Sequence, residues 1–135
     1  MDEKNVNQQQ LKLMYSNSPD LNVTGGTKND QAKLDYSLVS KNTMDAVSIA
    51  LMYGANKYKR FNYLAGFKYS RLLASLGRHL HQLQSGEDYD SESGLHHLAH
   101  IMANGQMLLD NLAQGTLADD RYKMEENKLN LKNNE

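Results

Sequence analysis

Two apolar-periodic stretches stand on either side of a short acidic run between residues 70 and 113, and no other feature constrains this chain as much. Leu72, Leu73, Leu76, Leu80 and Leu83 recur at three- and four-residue spacing, the period of a helix face rather than of a strand. Ser70 is placed to cap this helix and Gly86 to end it. The run EDYDSES follows, and Ser93 is placed to cap a further helix that turns Leu95, Leu98, Ile101, Met102, Leu109 and Leu112 inward. A loop this short predicts that helices 70–84 and 94–113 pack antiparallel, leucine face to leucine face. Upstream, from about Asn42, Met44, Val47, Ala50, Leu51, Gly54 and Tyr58 trace another amphipathic helix. Residues 59–69 (KRFNYLAGFKY) break that period and form an aromatic-rich connection. No stretch reads as a strand and none repeats, so the expected fold is all-α, an antiparallel helical bundle.

The flanks differ in composition. Residues 1–23 are rich in Asn, Gln and Ser and hold the single proline, so they bury too little apolar surface to offset ordering and read as a flexible polar N-terminal arm. Within it Leu11, Leu13, Met14 and Tyr15 form an apolar cluster suited to docking on a partner subunit. The stretch TGGTKNDQAKLDYSLV reads as a structured loop at the start of a domain over 24–115. Residues 116–135 read as a polar C-terminal helix or tail. A net charge of −1 gives no general attraction to nucleic acid or an anionic membrane. The lack of cysteine, of an apolar run near ~20 residues and of a signal-peptide core points to the cytoplasm.

All five histidines fall between residues 78 and 100, together with Glu87, Asp88, Asp90 and Glu92. At about 100° per residue, His79 lies about 60° from the centre of the leucine face, at its margin, whereas His81 points to water. His97, Asn104 and Asn111, seven residues apart, stack along one edge of the next helix; His100 lies close to that edge and His96 well round from it. The two helices therefore offer imidazoles at a shared boundary, with the loop acids over its end, as a metal or phosphate site requires. Ordinary solvation of the loop and of His81 and His96 is the competing expectation. The acidic run is not an EF-hand, since the twelve-residue spacing is absent, and TGGTK is neither a Walker loop nor a dinucleotide fingerprint.

These residues resemble a known family. The runs GGTKNDQAKLDYSLV (with Gly25, Gly26, Lys28, Asp30, Lys33 and Asp35), ALMYGANKYKRFNYLAGFKYSRLLASLGRHL and SGEDYDSESGLHHLAH are similar to a phage family described as the N-terminal domain of dATP/dGTP diphosphohydrolase. That family is grouped with the all-α, MazG-like nucleoside triphosphate pyrophosphohydrolases. The step Gly86–Glu87 and the motif Asp90-Ser91-Glu92-Ser93-Gly94-Leu95-His96-His97 carry most of the likeness, which covers residues 24 to 113. Two departures stand out. An Arg-Asn-Trp loop of the family becomes Arg60-Phe61-Asn62-Tyr63, and the paired-carboxylate helices that hold magnesium in MazG-like enzymes become Arg78-His79-x-x-Gln82 and His97-x-x-His100. Imidazoles suit manganese, iron, cobalt or zinc better than magnesium. Either the loop acids hold a hard ion while the histidines touch phosphate, or the site is a mixed histidine–carboxylate one.

The resemblance implies metal-dependent hydrolysis of a purine deoxynucleoside triphosphate, dGTP or dATP, to the monophosphate and pyrophosphate in the host cytoplasm. Glu87, Asp90 and Glu92 are then the candidate catalytic acids, and His79, Glu87, Asp90 and His97 the candidate ligands of a divalent metal, Mg, Mn or another transition ion. Lys57, Arg60, Asn62, Tyr63, Arg71, Arg78, His100 and Asn104 are the candidate nucleotide contacts, with Tyr63 or Phe61 stacking on the base. The alternative is a non-catalytic module that sequesters a nucleotide or a nucleotide-derived immune signal. Because one small bundle has little concave surface, a homodimer or tetramer is expected, as in MazG-like relatives.

Overall fold

The computed structural model describes residues 8–16, 25–28 and 33–123. Asp30, most of the polar arm and the tail from residue 124 lie outside them. The chain divides into two compact units, Met1–Lys41 and Asn42–Glu135. In the first, helix α1 (Gln8–Ser16) falls within the stretch whose composition suggested an arm. Of its apolar cluster Leu11 is buried, while Leu13 and Met14 are exposed; the side chain of Tyr15 lies outside the described residues. A single 3-10 turn, Tyr36–Leu38, is capped by Asp35, whose carboxylate accepts from the Ser37 N–H at 3.0 Å.

The second unit is helical. Helix α2 (Lys41–Lys57) runs into a 3-10 turn (Asn62–Ala65), a two-residue strand β1 (Phe67–Lys68) and helix α3 (Tyr69–Gln84). The acidic loop leads to α4 (His97–Gln114), and strand β2 (Leu117–Ala118) pairs in parallel with β1. Contacts Ser75–Asn104 and His79–His97 run in opposite order along α3 and α4, so these helices form an antiparallel hairpin. None of the described helices is long and apolar enough to cross a membrane. The strands, absent from the sequence-based expectation, are too short to show a period. They exist because Gly66 adopts φ +117° and lacks a Cβ, which would sit 3.0 Å from the Thr116 carbonyl oxygen.

Helix ends follow local chemistry in one case and depart from it in two. Gly86, at φ 90°, closes α3 with a Schellman motif: its N–H donates to the Leu83 carbonyl and that of Glu87 to Gln82. The cap of α3 is not Ser70 but the distant Asp120, which accepts from the Ser70 N–H at 2.9 Å and from its hydroxyl. The start of α4 is not Ser93, because Gly94 is left-handed at φ 73° and Asp90 takes the Ser93 N–H in a turn of its own. His96 caps α4 instead, its Nδ1 accepting from the Leu98 N–H at 3.1 Å.

The leucine faces are covered only in part: Leu72 is buried and Leu76, Leu83, Leu95, Ile101 and Met102 are half-buried. Helix α2 packs on α4 through small residues, Ala50 against Ala99 and Ala103, with Ala46, Leu51, Leu95 and Met107 around them. Helix α4 also buries His97, Asn104 and Asn111, of which His97 and Asn104 meet α3 at His79 and Ser75; Leu72 is the buried residue of α3. The amides are bound into the structure: Asn111 Nδ2 donates to the carbonyls of Met107 (2.8 Å) and Tyr63 (3.1 Å), and its Oδ1 accepts from the Thr116 hydroxyl (2.6 Å). Leu73, Leu80, Leu98, Leu109 and Leu112, expected inside, remain 40–68% exposed. At about 100° per residue they fall on the side of the hairpin away from α2, so two leucine stripes merge into one outward face.

Candidate functional site

On the opposite side of the hairpin, α2, the 3-10 turn, α3, the acidic loop and α4 enclose a cavity of about 800 Å³. Of the candidate nucleotide contacts, Lys57, Arg60, Asn62 and Tyr63 line one wall, and Arg78, His100 and Asn104 another. Arg71, exposed on α3, does not line it. Among the acids Asp90 and Glu92 face the cavity; Glu87 does not line it and stands behind His97, which is itself fully buried.

The histidines meet as a cluster. His79 Nδ1 and His97 Nδ1 are 2.8 Å apart, and the His79 and His100 rings stack with centroids 4.5 Å apart and 8° between planes. Burial lowers the pKa of both His79 and His100, with His100 and His97 adding in the same direction for His79, so both imidazoles are shifted towards the neutral form. Asp90 lies beside them. Its Oδ2 accepts from the Ser93 N–H at 2.9 Å and hydroxyl at 2.7 Å, and that hydroxyl is 2.7 Å from His100 Nε2. Burial pushes the Asp90 carboxyl up, but the Ser93 hydrogen bonds outweigh it and the net direction is down. Donor atoms of His79, Asp90 and His97 lie within 4.8 Å of one another, close enough for a single metal ion to use all three. Two imidazoles and one carboxylate fit a divalent transition ion.

The basic wall is partly neutralised. Lys57 Nζ pairs with Glu92 at 2.9 Å, and this hydrogen bond raises the lysine pKa while lowering that of the acid. Both groups are exposed, so the pair contributes little to stability. Arg60 lies 5.6 Å from the ring centroid of Phe61, which is 61% exposed and holds a left-handed backbone at φ 57°. Tyr63 is fixed instead: its hydroxyl donates to Asp110 at 2.7 Å and accepts from Gln106 at 3.2 Å. Of the two aromatics named from sequence, Phe61 is the one whose ring is largely exposed at the cavity wall. Sequence reading missed Ser93 as a bridge between Asp90 and His100, although Asp-x-x-Ser is an Asx-turn pattern. It also missed Asp110 and Gln106, whose link to Tyr63 spans more than forty residues and leaves no local signal.

A "dATP/dGTP diphosphohydrolase" of Salmonella phage PMBT28 is 36% identical over 96 residues, which is 71% of this chain and 33% of that protein. The chain thus spans about a third of the length of the curated relative it matches. No solved structure matches it. The family described as "dATP/dGTP diphosphohydrolase, N-terminal" matches residues 23–121, which include α2, α3, α4 and every residue of the cavity. The chain belongs to that family.

Proposed function

We propose that this chain binds a purine deoxynucleoside triphosphate in the cavity and promotes its hydrolysis to the monophosphate and pyrophosphate. The observation that carries this reading is one cavity joining a potential cation site (His79, Asp90), a basic wall (Lys57, Arg60, Arg78) and an exposed aromatic ring (Phe61). Phe61 stacks on the base, and the arginines neutralise the β- and γ-phosphates with planar donor arrays. A divalent cation, when bound by His79, Asp90 and His97, supplies positive charge against the phosphate oxygens. Lys57 exchanges Glu92 for phosphate, which frees Glu92 to take the proton of the attacking water. Mass-resolved product analysis with dGTP and dATP and a series of divalent metals tests this: monophosphate and pyrophosphate are expected.

A second reading is binding without turnover. Its support is that both cavity carboxylates are engaged, Glu92 by Lys57 and Asp90 by Ser93, and that imidazoles stand where MazG-like enzymes carry acids. Saturable binding with intact nucleotide would establish it. A chain with no ligand at all shows no thermal shift, whereas nucleotide at 100 times Kd adds about 2.7 kcal/mol. In either case the working form is a homo-oligomer, and the outward leucine face of α3 and α4 supports a two-fold dimer in which a second copy covers it.

A further inference from the structure

We infer that the cation site of this cavity is built for a borderline transition ion rather than for magnesium, and that Glu87 orients His97 towards the ion without binding it. The inference deepens the nucleotide-site reading and rests on it only for what the ion is for. Its basis is the arrangement of one buried ring. The backbone N–H of His97 donates to the Asp88 carbonyl at 2.9 Å, and the side chain is fully enclosed. Its Nε2 lies 3.4 Å from Glu87 Oε1. Glu87 can only accept, so this nitrogen carries the proton. The other nitrogen, Nδ1, then holds a lone pair, and it points at His79 Nδ1, 2.8 Å away.

Two nitrogens at that distance share a proton, which a cation bound at about 2.0–2.1 Å by both rings would displace as the gap opens slightly. Asp90 supplies the negative charge that favours the cation, since its carboxylate is part of the same 4.8 Å group and Ser93 holds it in place. Magnesium takes oxygen ligands and gives up water reluctantly, while two imidazoles with one carboxylate suit zinc, cobalt, iron or manganese. Glu87 stands on the far side of the His97 ring from this group, the position of a carboxylate that fixes the tautomer of a metal-binding histidine. The sequence-based assignment of Glu87 as a ligand is thereby replaced by a positioning role.

The test uses the whole chain, stripped of metal, without nucleotide. Titration with Co2+ alone, followed by its visible d–d absorption, should show one equivalent per chain, and Mg2+ at the same concentrations should neither compete nor raise the melting temperature. His79→Gln should weaken Co2+ binding by at least about 100-fold and alter the absorption, while Glu87→Gln should weaken it by about 10–100-fold and leave the band positions unchanged. Circular dichroism establishes that each variant is folded; if His79→Gln is not, Asp90→Asn carries the same expected spectral change. No Co2+ binding by the folded chain, equal competition by Mg2+, or a Glu87→Gln spectrum altered like that of a ligand variant would each overturn the inference. Co2+ binding without dGTP or dATP turnover would instead count against the hydrolase reading, and turnover that runs on Mg2+ alone would count against the inference.

Discussion

Replacing Leu109 by aspartate should abolish the proposed dimer while leaving the protomer folded. Leu109 is 68% exposed, so about two thirds of its apolar surface remains to be covered. Complete burial of a leucine stabilises by ~1.5–3 kcal/mol, which leaves about 1–2 kcal/mol for Leu109 on each protomer. A two-fold interface buries the same side chain twice, giving ~2–4 kcal/mol in all. At 1.4 kcal/mol per decade this is about a 30- to 700-fold weaker dimer, before the cost of a desolvated carboxylate is added. The fold itself should hardly change, because the side chain makes few contacts inside the protomer. Sedimentation velocity over a dilution series, with thermal melts of the diluted samples, reads both quantities. A wild-type chain that stays monomeric at tens of micromolar, or a Leu109→Asp variant with unchanged dimer affinity, would refute the reasoning.

Acidification should destabilise the fold. His79 and His100 have pKa values lowered from the ordinary 6.5, so the unfolded chain binds protons first and the stability present above pH 6.5 declines as the pH falls below it; melting curves from pH 8 to pH 5 check the sign. Asn111→Ala should cost about 1–3 kcal/mol in urea unfolding, because it removes a fully buried amide and leaves the half-buried Tyr63 carbonyl without that donor. Gly66→Ala should cost more than about 1 kcal/mol, since φ +117° and the Thr116 oxygen both oppose a Cβ. Phe61→Ala should weaken nucleotide binding by roughly tenfold or more, as loss of a base-stacking ring does, with no loss of melting temperature in the ligand-free chain.

How much was legible depended on whether the signal was local. The periodicity of Leu72–Leu83 and of residues 95–112 located α3 and α4 to within three residues, and the angular argument brought His79 and His97 together. The same periodicity misled about what is buried. An apolar stripe marks a surface that must be covered, but not whether the protomer or another molecule covers it. Here the protomer interior took the alanines and the His97–Asn104–Asn111 stripe, whose polar groups find partners remote in sequence, at His79, Ser75 and Tyr63, besides carbonyls one turn back on α4. Among the described residues Asn104 Oδ1 is the one buried side-chain atom left without such a partner. The Asp120 cap on Ser70 and the Asp110 hold on Tyr63 are likewise remote in sequence and invisible to local rules.

Helix α4 carries both ends of the cavity. His97 and His100 stand at its start, while Asp110 and Asn111, thirteen residues beyond His97 and one further, grip Tyr63 beside Phe61. At 1.5 Å per residue the separation along the axis is about 20 Å, set by a rigid rod and not by a loop. The helix therefore acts as a ruler for the proposed nucleotide site. One residue inserted between Ile101 and Gln106 would lengthen that ruler by only ~1.5 Å but turn its far end by about 100°, carrying the aromatic wall out of line with the imidazoles. Length variation among related chains should accordingly collect in the acidic loop and at the termini and be excluded from the middle of α4.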